Sequence, residues 1–241
     1  MKLTNTRLAW IFIALAVGAG ACSSPASKVI LKEARPVSAQ TYYVAAEQFK
    51  TAQFAPPPAP DSYEQKEDLA AVLAWQNKRT EDDCAKANAT ANFTYDSLWG
   101  ARSPFPQPLP AGVKKFFDRL ASDLESAVTA MKDRYRRPRP FKAYPEQARP
   151  CVKKSWGYSY PSGHAAFSRV FACVLTDIVP GRRDEFFAKS DEIARDRVVG
   201  GVHFPTDIAA GKIFGDQFHA ALLGSPEYGK DLEKIRALLV K

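Results

Sequence analysis

Two long stretches of this sequence repeat apolar residues at steps of three and four, and proline cuts each one off. In the first, Val113, Phe116, Phe117, Leu120, Leu124, Ala127, Val128 and Met131 fall on one face of a helix several turns long. It stops at Arg136-Arg137-Pro138-Arg139-Pro140, because proline lacks an amide N–H and restricts the residue before it. In the second, Ala166, Phe167, Val170, Phe171, Val174, Leu175 and Ile178 form a similar face, ended by Pro180-Gly181. A third helix is predicted from Pro205, since proline suits the first turn. Gly211 and Gly215 lie one turn apart on it. A glycine inside a helix costs roughly 1 kcal/mol relative to alanine, so the pair is expected to let another helix cross closely. Shorter helices are predicted around 65–90, 184–196 and 226–240. No alternating strand pattern and no internal repeat stands out. The expected fold class is all-α: a single-domain helical bundle whose functional groups sit at helix ends and in connecting loops.

At 241 residues and 46% hydrophobic, the chain is long enough for one sizeable core. Residues 1–21 read as a signal peptide: Lys2 and Arg7, then the apolar run Leu8 to Val17, then small residues from Gly18 to Ala21. That run is too short for a membrane span. Loss of Lys2 and Arg7 with the leader lowers the net charge from +8 to +6. Cys22 follows Ala19-Gly20-Ala21, which resembles a lipoprotein processing site, although Ala19 stands where such sites carry leucine. Plain cleavage, with a periplasmic or secreted product, and lipidation of Cys22, with membrane anchoring, both stay open. The mass of the mature N-terminus distinguishes them. Residues 22–60 read as a tether and a Pro-rich arm, Phe54-Ala-Pro-Pro-Pro-Ala-Pro60, extended because successive prolines fix φ. The helical domain is expected over 61–241. Export makes a disulfide reasonable. Cys84, Cys151 and Cys173 permit one bridge, expected between Cys84 and Cys151, with Cys173 buried in a helix. None of them has the paired spacing of a zinc site.

Three clusters carry chemistry: Lys132 to Pro140, Pro161-Ser162-Gly163-His164, and Arg197 to Asp207. Each lies at a helix end, where unpaired amides and the helix dipole favour anions. Ser162 can cap the second helix, and Gly163 lets the backbone approach a phosphate oxygen closely. His203 stands just before the third helix, and Asp207 is one turn further on. That carboxylate can hold one ring nitrogen and leave the other as a nucleophile. Lys132, Arg139 and Arg197 supply fixed positive charge. Each cluster also has an ordinary structural reading: a solvated basic turn, a helix cap, a buried histidine. A serine hydrolase is the other reading of Ser, His and Asp, but no G-x-S-x-G elbow occurs.

Taken in order, the clusters resemble the signature of the type 2 phosphatidic acid phosphatase superfamily: K-x6-R-P, P-S-G-H and S-R-x5-H-x3-D. The chain has Lys132-x6-Arg139-Pro140, Pro161 to His164, and Arg197-x5-His203-x3-Asp207. The Pro-rich arm followed by helices also looks like the secreted bacterial class A nonspecific acid phosphatases. The resemblance implies a metal-independent acid phosphatase of broad range that acts on small phosphomonoesters and needs no cofactor. His203 would attack phosphorus and form a phosphohistidine, and Asp207 would orient it. His164 would protonate the leaving oxygen and then activate water. Lys132, Arg139, Ser162, Gly163 and Arg197 would hold the phosphoryl oxygens. One position departs: Asp196 replaces the family's serine, and a carboxylate turned toward phosphate there would repel it.

The alternatives are a lipid phosphate phosphatase of the same superfamily, its relative the vanadium haloperoxidase, and a basic protein that binds nucleic acid or the envelope surface. The first usually has several membrane spans. The last leaves the three motifs unexplained, and no basic stripe with interleaved aromatics is present. No nucleic-acid partner is expected, and membrane contact only through a lipidated Cys22.

Overall fold

A computed structural model of the chain describes residues 40–50, 53–92 and 94–239. The predicted leader, Cys22 and the tether up to residue 39 lie outside them. In chain order the helices are α1 (Glu47–Lys50), α2 (Tyr63–Lys78), α3 (Glu81–Ala89), α4 (Tyr95–Trp99), α5 (Ala111–Tyr135), α6 (Pro140–Ala143), α7 (Gly163–Ile178), α8 (Arg183–Val199), α9 (Pro205–Leu223) and α10 (Pro226–Arg236). No strand occurs among the described residues. The fold is all-α.

The two periodic faces make the core. All eight apolar residues read on the first face are buried on α5. Helix α7 is buried on nearly every side, between α8, α9 and α5. Its crossing with α9 depends on Gly211 and Gly215. A Cβ on Gly211 would lie 2.5 Å from the Ser162 carbonyl oxygen and 2.7 Å from the Ala165 Cβ. One on Gly215 would lie 2.8 Å from the Arg169 Cβ. The region predicted as one helix over 65–90 is two. Thr80 breaks it and caps α3 in a capping box with Asp83. Cys84 and Cys151 form a disulfide that ties α3 to the loop after α6, and Cys173 is a buried free thiol on α7.

The helical body begins upstream of residue 61. Buried Asp123 on α5 accepts backbone N–H groups from Tyr42 (3.0 Å), Tyr43 (2.6 Å) and Val44 (3.1 Å). Tyr43, Val44 and Phe49 join the main core. The Pro-rich arm lies against the body: Tyr135 Oη donates to the Phe54 carbonyl (2.6 Å) and Tyr160 Oη to that of Ala55 (2.7 Å). The described part of the expected tether is therefore packed structure. Its few apolar residues have no period, and the carboxylate that receives their amides is 80 positions away.

Candidate active site

The site forms where four helix ends meet. Helix α5 ends as Arg136 takes a left-handed conformation (φ 48°), leaving Lys132 in its last turn and Arg137 and Arg139 in the link to α6. Ser162 starts α7, its Oγ accepting the Ala165 N–H at 3.4 Å. Helix α8 ends beyond Arg197, where Gly201 (φ 75°) turns the chain toward His203. Pro205 opens α9, and Asp207 in its first turn accepts the Phe204 N–H at 2.8 Å. The Ser162 N–H donates to the Asp207 carbonyl at 2.9 Å, which joins the starts of α7 and α9.

His203 is 2% exposed, and its partners fix its tautomer. Arg139 can only donate, and its Nη1 lies 2.9 Å from His203 Nε2, so Nε2 carries the lone pair. Nδ1 carries the proton, facing Asp207 Oδ2 and Ser159 Oγ, each at 3.3 Å. Burial, helped by the Arg139 charge and opposed by Asp207, pulls the imidazole pKa down to about 3. Burial alone would raise the pKa of Asp207. The bond to His203, the Arg137 charge and the Ser159 hydroxyl outweigh it and hold the carboxyl below its usual range.

Three cations lie around His203 and His164, Lys132 and Arg139 acting on the former and Arg197 on the latter, with no carboxylate in ion-pair contact among the described residues. Lys132 Nζ donates to the carbonyls of Tyr158 (2.7 Å) and Ser159 (3.4 Å). Burial and the neighbouring Arg139 bring its pKa down to about 7. Arg139 reaches the Val202 carbonyl at 3.0 Å. Arg197 donates to the Ala87 carbonyl and to Thr90 Oγ1 (2.7 Å), while its buried Nε has no partner among the described residues. Burial lowers both guanidinium pKa values to about 10, and both stay charged at neutral pH. An unpaired donor among uncompensated buried cations is what an anion would complete.

His164 is 5% exposed, and its Nε2 lies 3.1 Å from the Ala91 carbonyl. Burial first, then Arg197 and His203, hold its pKa well below the ordinary value, so the ring is neutral. Asp196 is buried and turned to Thr90, whose Oγ1 donates to it at 3.0 Å. Thr90 thus stands between Asp196 and Arg197. His219 pairs with Asp177 (2.8 Å) and has no contact with the site.

Sequence reasoning missed Ser159, Arg137, Asp68 and Thr90. Arg137 joins Asp207 to Asp68 on α2, both at 2.6 Å. Ser159 Oγ donates to Asp207. The arginine immediately before Pro138 was one available signal for Arg137. Asp68 and Thr90 had none.

The profile of the PAP2 superfamily matches residues 120–227. That span contains Lys132, Arg139, the Pro161–His164 cluster, Arg197, His203 and Asp207. Over that span the chain is similar to the PAP2 superfamily. A non-specific acid phosphatase of Providencia stuartii is 34% identical over 119 residues, 48% of this chain and 47% of that protein. Another from Salmonella typhi is 34% identical over 116 residues, 46% of this chain and 45% of that protein. The chain thus matches about half the length of these curated relatives. A bacterial vanadium-dependent iodoperoxidase overlays 74% of this chain and 53% of its own at a TM-score of 0.50 and 20% identity, a likeness of fold alone. Within the matched span, all three sequence clusters converge on one buried centre.

Proposed function

We propose that this chain is a phosphatase that hydrolyses phosphomonoesters through a phosphohistidine on His203, without a metal. The observation that carries the reading is the lone pair of His203 Nε2 directed at Arg139, with the charge of Lys132 near the ring and that of Arg197 near Arg139. A phosphoryl group that displaces the Arg139 contact meets a nucleophile and balancing positive charge together. Nε2 attacks phosphorus as the ester P–O bond breaks, and the leaving oxygen takes a proton from His164. The Nδ1 proton stays against Asp207, which stabilises the imidazolium. Water then attacks phosphorus and gives its proton to His164. The P–N bond breaks and returns its electron pair to Nε2.

The titrating groups favour acid. His203 stays an unprotonated nucleophile above about pH 3, and Lys132 stays charged below about pH 7. His164 needs either acid or the charge of a bound ester to hold its proton. The resemblance supports small, varied phosphomonoesters as substrates, and the Cys84–Cys151 disulfide supports work in an oxidising compartment after export.

The test is hydrolysis of 4-nitrophenyl phosphate across pH, with and without chelator, by wild type and His203→Ala. Chelator-resistant activity between about pH 3 and 7, abolished in the variant, is expected. Undiminished hydrolysis by the variant would overturn the nucleophile, and loss in chelator would overturn the metal-free reading.

A further inference from the structure

Behind the phosphate side, Asp207 belongs to a second, buried set of charges. Its Oδ2 takes the Ser159 hydroxyl and the Phe204 amide besides His203. Its Oδ1 takes Arg137 Nη1 at 2.6 Å. The other arm of Arg137, Nη2, reaches Asp68 Oδ2 (2.6 Å) and Gln65 Oε1 (2.7 Å) on α2. Asp68 also accepts the Thr206 N–H at 3.0 Å, which anchors it to the first turn of α9. Arg137 lies over the Phe204 ring, 4.3 Å from its centroid. Arg137 and Asp68 are 5% and 3% exposed, so water screens this chain of charges little.

From this geometry we infer that Arg137 and Asp68 are positioning residues for the reaction at His203. Arg137 holds Asp207 ionised and aimed, and Asp68 offsets the arginine so that the set presents one net negative charge to the imidazole. The arithmetic of formal charge carries the point. Arg137 beside Asp207 alone would be neutral and would give the imidazolium intermediate little support. The second carboxylate, supplied by α2, restores the negative balance. Helix α2 lies outside all three signature clusters, and through Asp68 it reaches the nucleophile. The other titrating groups around the pair are Lys132, Arg139, His164 and Arg197 on the phosphate side and Tyr160 beside the arm. None of them hydrogen-bonds the Asp207 carboxylate among the described residues.

The kinetic arm rests on the phosphatase reading; a spectroscopic arm does not. Wild type, Arg137→Gln, Asp68→Asn and the double variant are compared by the pH dependence of kcat/KM on 4-nitrophenyl phosphate. The 1H–15N spectrum of the histidine rings follows protonation of His203 directly. In Arg137→Gln the carboxylates of Asp207, beside the ring, and Asp68, behind it, lose their cation. The acid limb and the ring protonation are therefore expected to rise by about one to three pH units. In Asp68→Asn kcat is expected to fall on the order of tenfold with KM changed far less, since each lost tenfold is about 1.4 kcal/mol of transition-state support. The double variant restores one net negative charge, so its acid limb returns toward wild type. Packing damage alone would instead make it worse than either single variant. Unmoved ring protonation in Arg137→Gln, or a double variant whose limb stays with that of Arg137→Gln, overturns the inference. Should Arg137→Gln fail to fold, the Asp68→Asn split between kcat and KM decides it. If His203→Ala keeps full activity while ring protonation still shifts as expected, the phosphatase reading falls and the charge network stands.

Discussion

At the scale of single residues, His164 separates the chemistry of a general acid from that of a buried ring. Its Nε2 faces the Ala91 carbonyl, a group that can only accept, so this nitrogen carries a proton in the unliganded site. A leaving alkoxide needs the second proton, the one that makes the ring an imidazolium, whereas 4-nitrophenolate leaves without it. His164→Ala is therefore expected to lose about 10²–10⁴-fold in kcat on alkyl phosphates and much less on 4-nitrophenyl phosphate. Equal losses on both substrates, measured in steady state, would contradict the acid role. The residues proposed to do chemistry stood out in the sequence because most sit within a few positions of a proline or glycine that places them at a helix end. The residues that aim them did not. Arg137 and Asp68 are 69 positions apart, and their pairing appears only when α2 packs beside α9.

At the scale of helices, the α7–α9 crossing joins fold and site. The Ser162 carbonyl that crowds Gly211 belongs to the residue that caps α7, so a side chain there pushes on the core and on the candidate site together. Neither nearby atom is the end of a flexible side chain. Gly211→Ala is expected to cost about 1–3 kcal/mol by overpacking, more than the ~1 kcal/mol gained in helix propensity. Gly229 on α10 meets nothing within 4 Å, so Gly229→Ala is expected to stabilise by up to ~1 kcal/mol. Urea unfolding of the two variants checks the opposite signs, and a stabilised Gly211→Ala would refute the close crossing. The long helices α5, α7 and α9 were legible because burial on one face writes a period into the sequence and proline marks its limits. The helices α1, α4 and α6 were not: at 4, 5 and 4 residues they are too short to show a period.

At the scale of the whole molecule, a buried cluster of cations without carboxylate partners is a standing cost that a bound anion relieves. Lys132 has a folded pKa of about 7 against an ordinary 10.5. Between those values the unfolded chain binds more protons, so this group's contribution to stability rises with pH across that window and its penalty is complete below it. His203, at about 3 against 6.5, acts in the same sense: stability is lost as pH falls from about 6.5 toward 3. The free protein should therefore be less stable in the acid range where it is proposed to work. Inorganic phosphate is expected to bind only the folded state, and at one hundred times its Kd would add ~2.7 kcal/mol. For a chain of this size that is a rise in Tm of roughly 5–10 °C. The rise should be larger at pH 5, where Lys132 is charged, than at pH 9, where it is neutral. In Lys132→Gln the dependence on pH should flatten. Thermal melts with and without phosphate measure all of this. An equal rise at both pH values in wild type would mean that Lys132 does not hold the anion.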